Sequence, residues 1–158
     1  MSKVTIGISD MNIVSDNDSI VTYALGSCIA ICLYDPAIKI AGMAHIMLPY
    51  SKECPADRNI LKFADTAAHE LLFQMEKRSA RKSRLRAKIA GGAQMFKIIS
   101  EAANIGRRNS MAVKETLRSL MIPVIAEDIG DDFGRTVEFF ASNGQLHVRT
   151  AKHGNWEI

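Results

Sequence analysis

The sequence predicts an α+β domain in which sheet packs on sheet and helices cover the outside. Three observations carry this. Strand-like segments open the chain with no helix between them, which favours antiparallel pairing. Only two long segments carry apolar residues at helical spacing, and they lie well apart. Hydrophobic residues make up 47% of the 158 residues, enough for a core that buries roughly 70% of the unfolded surface.

The elements follow in order. Lys3 to Ile8 and Ser19 to Ala24 read as strands, as do Cys28 to Tyr34 and Ile40 to Leu48, which are rich in small and β-branched residues. Ser51 to Asn59 is a polar loop. Ile60 to Arg78 is an amphipathic helix, with Leu61, Ala64, Ala68, Leu71, Leu72 and Met75 on one face. Leu85 to Ala90 is a strand that ends at Gly91-Gly92, and a short helix is expected within Ala93 to Ala103. Asn109 or Ser110 is the expected cap of a further helix through Val113, Leu117 and Leu120. Pro123 to Glu127 is a strand. Arg135 to Ala141 and Gln145 to Thr150 are strands joined at Ser142-Asn143-Gly144, a hairpin signal. No repeat, low-complexity tract or linker divides residues 1–158, so a single domain is expected.

Composition excludes several classes. A net charge of +3, from 20 basic and 17 acidic residues, is too mild to imply a nucleic-acid partner. No apolar stretch approaches the ~20 residues of a membrane span. Met1-Ser2-Lys3-Val4-Thr5 has no apolar signal segment, which predicts a cytoplasmic location. Three cysteines in such a chain argue for reduced thiols rather than a disulfide framework. The basic stretch from Lys77 to Lys88 falls at a predicted helix end, where cations suit the macrodipole; a docking patch for an acidic partner is the alternative.

Cys28 is the candidate nucleophile. It follows Gly26-Ser27 at a corner, leads into the apolar run Ile29 to Leu33, and precedes His45 by one predicted strand. If Asp35 and Ile38 face each other across the Asp-Pro turn, Cys28 faces His45, on the same side of the sheet with Cβ atoms about 4.5–5.5 Å apart. An imidazole in contact favours the thiolate, and the thiolate is the nucleophile. A slip of one residue would send His45 to the other face. Gly26 offers backbone freedom, and the N–H groups of Gly26 and Ser27 are candidates to meet a developing oxyanion. The bland alternatives are a small buried hydrophobe at Cys28 and a satisfied core histidine at Met43–Met47. Thr22 supplies a hydroxyl upstream, at a place that spacing does not fix.

Other chemistry-bearing residues have weaker claims. Cys28 and Cys32 sit about 13 Å apart along a strand and cannot share a zinc ion, so no metal or cofactor is expected. Cys54 reads as an exposed free thiol, His69 as a helix residue and His147 as solvent-facing. His153 lies near the chain end. Gly91-Gly92 lacks the phosphate-binding patterns and reads as a tight turn that, with Asn104 to Gly106, shapes the mouth of the site.

These residues resemble the CheD family, the chemoreceptor glutamine deamidases of chemotaxis. The similarity runs through Thr22–Cys28 (TYALGSC), Ala44–Pro49 (AHIMLP), Lys62–Ala67 (KFADTA), Ala87–Phe96 (AKIAGGAQMF), Asn104–Asn109 (NIGRRN) and Ala126–Arg135 (AEDIGDDFGR), in one order along most of the chain. The resemblance implies a triad of Cys28, His45 and Thr22. It implies a layered α/β/β/α sandwich with mostly antiparallel sheets, similar to the catalytic core of cytotoxic necrotizing factor. The implied substrates are glutamines of chemoreceptors, and the implied partner is a CheC-type phosphatase. Two departures stand out: Asp131 follows Gly130 where the family tends to a second glycine, and Lys97 to Ala103 is longer than usual.

The expected function is hydrolysis of a glutamine side-chain amide through a Cys28 thioester. The alternatives are an adaptor that stimulates the phosphatase with an idle site, and a cysteine amidase or esterase acting on small molecules.

Overall fold

The computed structural model describes residues 1–97 and 100–158. One five-stranded sheet runs β1 (Lys3–Ile6), β3 (Ser19–Leu25), β8 (Arg135–Phe140), β9 (Leu146–Arg149), β10 (Asn155–Glu157). The second runs β2 (Asp10–Ser15), β5 (Ile40–Ile46), β4 (Ile29–Asp35), β6 (Arg86–Gly91), β7 (Val124–Ile129). β1 with β3 and β6 with β7 are parallel; the other pairs are antiparallel. Two helices, α1 (Ala64–Lys77) and α2 (Ile105–Ser119), pack against each other and on the second sheet.

Alternation along the strands of the second sheet sorts their residues between two cores. Ile29, Ile31 and Leu33 of β4 face the helices, where Ala64, Ala67, Ala68, Leu71 and Met75 of α1 meet them. Ala30 and Cys32 face the first sheet, against Ile20, Leu25, Val137 and Phe139. Small residues let these layers approach closely: a Cβ at Gly42 would sit 2.7 Å from Met75 Sδ and 2.9 Å from Leu71 Cδ1.

The α+β sandwich of mostly antiparallel sheets is the one the sequence predicts. Because both helices lie on the second sheet, the described residues form layers α/β/β. The far face of the first sheet carries a polar network in place of a helix. There Glu138, 5% exposed, accepts from Ser19 Oγ at 2.7 Å and pairs with Lys3 at 3.2 Å.

Several expectations change. β2 was not legible, because Asp10, Asn12 and Ser15 give it weak strand propensity. Its pairing with β5, from Asp10↔His45 to Ser15↔Ile40, decides its conformation. β10 is a three-residue edge strand beyond the predicted ones. The helix expected within Ala93 to Ala103 is a single turn at Glu101–Ala103 among the described residues; Ile98 and Ile99 lie outside them. The segment gives its backbone to neighbours instead: Ala93 N–H bonds Gly26 O and Gln94 N–H bonds Asp131 O, each at 2.9 Å. α2 begins before the expected caps. Asn104 caps it, its side chain accepting from Arg107 N–H at 3.0 Å, while Asn109 and Ser110 are buried within the helix. The basic stretch is largely structural: Arg84 clasps the buried Asp35 carboxylate at 2.8 Å, and Arg78 donates to Ile13 O at 2.8 Å.

The β4–β5 turn holds four residues, Pro36 to Lys39, with Asp35 opposite Ile40 and Lys39 at φ 51°. The expected two-residue turn is therefore wrong by two positions. Since side chains alternate with period two, that shift keeps every residue on its expected face.

Gly42→Ala should overpack the joint between β5 and α1 and destabilise the fold by about 1–3 kcal/mol. A lower urea midpoint with an unchanged slope would register it.

Candidate active site

Two buried side chains meet between the sheets. Thr22 on β3 is fully buried and His45 on β5 is 1% exposed. His45 lies opposite Ala30 on one side and Asp10 on the other. Thr22 lies opposite Val137, just before a bulge in which Ala24 takes φ 58°. Thr22 Oγ1 stands 3.0 Å from Ile6 O and 2.7 Å from His45 Nδ1. A carbonyl only accepts, so the hydroxyl donates to Ile6 O and its lone pair accepts from Nδ1–H. This fixes the tautomer: Nε2 carries the free lone pair. Nε2 is buried and has no hydrogen-bond partner among the described residues.

Cys28 lies one residue before β4 and is half-buried. Ala30 occupies the position opposite His45, so Cys28 is its diagonal neighbour on the same face. Diagonal Cβ atoms in such a pair lie about 7–8 Å apart or somewhat less. The thiol and Nε2 are not yet hydrogen-bonded; ligand-free sites commonly hold such pairs open.

Burial sets the resting protonation of both. It pushes the Cys28 thiol above its usual value, opposed in part by the residue's own backbone N–H. It pushes the His45 imidazole down to about 4, opposed in part by the Asp10 carboxylate. Burial therefore favours the neutral form of each group, whereas the sequence reading expects a thiolate–imidazolium pair.

Three successive carbonyls pin the corner before Cys28. Gly26 O accepts from Ala93 N–H and Cys28 O from Gly92 N–H, each at 2.9 Å. Ser27 O accepts from Asn109 Nδ2 at 2.9 Å. Gly91 and Gly92 have φ 115° and 66°, and a Cβ on Gly91 would stand 2.2 Å from Cys28 O. The glycine pair is thus required for close approach to the corner rather than for a simple turn. Gly26 does not use its conformational freedom; its bare Cα leaves room for Met95, whose Sδ would lie 3.2 Å from a Cβ there. The N–H groups of Gly26 and Ser27 find no acceptor among the described residues.

The remaining residues separate. Asn104 commits its side-chain oxygen to capping α2. Cys32 is buried between the sheets, where burial pushes its thiol far up. Cys54 is half-buried. His69 bonds Asp65 O at 2.7 Å, and the half-buried His147 packs on Phe140. No group of three or more His, Cys, Asp or Glu is gathered as metal ligands among the described residues. Asp131 takes φ 59°, a region that Asp tolerates better than most residues, so the loop keeps the conformation a glycine would allow. Arg135, buried, braces this loop by donating to Gly130 O at 3.0 Å and Asp128 Oδ1 at 3.1 Å. Sequence reasoning missed Asn109 and Arg135 as braces of the site. Each ends one of the segments that carry the resemblance.

A family model described as CheD chemotactic sensory transduction matches residues 47–150. A probable chemoreceptor glutamine deamidase CheD of Caldanaerobacter subterraneus is 48% identical over 151 residues, 94% of this chain and 93% of its own. Another so named, of Clostridium botulinum, is 46% identical over 160 residues, 100% of this chain and 99% of its own. The chain belongs to the CheD family. Thr22, Cys28 and His45 precede the segment that the CheD family model matches. The match to the Clostridium CheD relative covers the whole chain and so includes them.

The depressed His45 value carries a stability consequence. Between the usual 6.5 and about 4, the unfolded chain binds a proton that the folded chain does not. His45 therefore adds no pH dependence above 6.5 and weakens the fold progressively as pH falls from 6.5 toward 4. In paired urea titrations, His45→Asn should lose less stability than the unmodified chain between pH 7 and pH 5 (about neutral to one to two units below the His reference).

Proposed function

We propose that this chain is a protein-glutamine deamidase acting on chemoreceptors, with Cys28 as nucleophile, His45 as general base and acid, and Thr22 as the group that orients the imidazole. The observation that carries the reading is the buried Thr22–His45 bond, which leaves Nε2 unprotonated on a strand whose register sets His45 diagonal to Cys28. The printed names of the relatives supply the substrate class.

The chemistry follows from the resting state. The thiol is protonated, so attack on the glutamine carboxamide carbon transfers the Sγ proton to Nε2 as the C–S bond forms. The carbonyl electron pair moves onto oxygen and meets backbone N–H groups of the corner. Collapse of the tetrahedral intermediate breaks the C–N bond, and Nε2 returns the proton to the departing ammonia. Water, deprotonated by the same nitrogen, then attacks the thioester carbon; the C–S bond breaks, Nε2 returns the proton to Sγ, and glutamate is released. Thr22 brings no charge to the imidazole, so its contribution is tautomer and orientation.

A protein substrate suits the surroundings. Met95 over Gly26 is 52% exposed, Phe96 82%, and Met47, two residues after His45, 41%. The same apolar rim would receive a CheC-type phosphatase, the partner implied by the resemblance. A cytoplasmic location accords with receptor tails as substrate. No helix among the described residues is long and apolar enough to cross a membrane.

Incubation with a receptor cytoplasmic fragment should add about one dalton per modified site, as amide nitrogen is replaced by oxygen. Cys28→Ala should abolish the gain, and Thr22→Val should lower kcat by about 10- to 100-fold through the lost orientation of the base. A gain that survives Cys28→Ala overturns the mechanism. No gain on any receptor, with phosphatase stimulation intact, establishes an adaptor instead.

The acid limb of kcat/KM reports His45 in the free protein. It should fall below the ordinary 6.5, because burial holds the imidazole neutral to about 4. An acid limb at or above 6.5 in the folded protein contradicts the neutral resting pair.

A further inference from the structure

We infer that Asn109 is a positioning residue that aims the oxyanion-binding N–H of Cys28, acting through the peptide that joins Ser27 to Cys28. The inference rests on the proposed role of Cys28 as nucleophile.

Asn109 sits in α2, fully buried, and its single amide nitrogen donates twice. One bond goes to Ser27 O at 2.9 Å, immediately before Cys28. The other goes to Met47 O at 3.0 Å, two residues beyond His45. One side-chain atom thus ties the nucleophile corner to the end of the strand that carries the base. Aspartate and leucine have the same shape and no donor; glutamine has the donors and an extra methylene. The Asn109 carbonyl oxygen is buried without a partner among the described residues.

The bond to Ser27 O has a directional consequence. A trans peptide is planar, with its C=O and N–H pointing in opposite directions. Holding Ser27 O toward α2 therefore turns the Cys28 N–H away from α2, toward its own thiol, where it opposes the rise in thiol pKa. The flanking peptides are held in the same way, through Gly26 O to Ala93 N–H and Cys28 O to Gly92 N–H. Those two clamps come from backbone and survive substitution. The central one depends on a single side chain.

As the C–S bond forms, negative charge develops on the carboxamide oxygen, next to the Cys28 N–H. A donor held in place beforehand stabilises that charge without reorganising. Loss of one such donor costs about 10²–10³ in kcat. Asn109 does not touch the substrate; it fixes the dipole that does.

The test pairs two reactions of Cys28. Deamidation of a receptor fragment develops an oxyanion, whereas alkylation by iodoacetamide develops none. Asn109→Ala should lower deamidation kcat by about 100-fold, leave KM within about twofold, and slow Cys28 alkylation far less, by about threefold or under, since there only the pull of the N–H on the thiol is lost. Asn109→Asp keeps the shape, replaces the donors with carboxylate oxygens, and carries the test if the alanine variant does not fold. Its kcat should fall as far at neutral pH, and recover in part on acidification, when the protonated acid can donate once. Wild-type kcat in a folded variant overturns the inference. So does a parallel loss of deamidation, alkylation and unfolding midpoint, or failure of both variants to fold, since a scaffold role then suffices. These outcomes leave the deamidase reading standing wherever the unmodified chain is active and Cys28→Ala is not. An inactive unmodified chain overturns that reading, and this inference with it.

Discussion

The hydrogen bond between His45 Nδ1 and Thr22 Oγ1 joins the two sheets at 2.7 Å through a largely apolar layer that includes Ile20, Leu25, Val137 and Phe139. Each partner belongs to a different sheet, so the bond exists only when the sandwich is assembled in register. Its neighbours follow from it. Ile6 O takes the hydroxyl proton, which forces the imidazole to donate from Nδ1 and leaves Nε2 as a base. β2, on the other side of β5, places Asp10 opposite the same histidine and moderates its loss of basicity. A buried polar contact of this kind contributes little net stability. Its value lies in the state it selects.

Much of this architecture is written in local pattern. Period-two alternation along Cys28–Tyr34 and Ile40–Leu48 placed His45 and Cys28 on one face even though the turn between them was misjudged. An error of two residues moves a side chain along the sheet without turning it over. Thr22 was not locatable from spacing, because its partner lies on another sheet. Asn109 and Asn104 show a similar limit. Both are polar residues near the start of one helix, and a capping rule suits either. Only the packing of α2 against the Cys28 corner separates the residue that caps from the residue that braces. β2 was hidden for a different reason, since its conformation comes from β5 and not from its own residues.

The corner itself is a problem of backbone proximity. Three chain segments converge there: residues 26–28, the Gly91-Gly92 turn and the first turn of α2. A Cβ on Gly106 would stand 2.4 Å from Ala93 O, as a Cβ on Gly91 would meet Cys28 O. The glycines remove side chains where main chains must touch, and the touching main chains satisfy one another. Arg135 extends this bracing to the Gly130–Gly134 loop, whose Asp131 carbonyl holds Gln94. The packed backbone around the half-buried thiol thus rests on glycine placement together with the Asn109 and Arg135 side chains.

The raised thiol pKa reaches beyond catalysis into redox chemistry. Peroxides and disulfides react with thiolates, and a sulfur that keeps its proton presents few of them. Burial favours the protonated form of Cys28, and so lowers the share of the thiolate that peroxides and disulfides attack. Under the proposed reading the nucleophile is released only when a bound amide displaces water and its proton passes to His45. On that reading the desolvation that slows the resting sulfur also shields it, and bound substrate decides when it reacts.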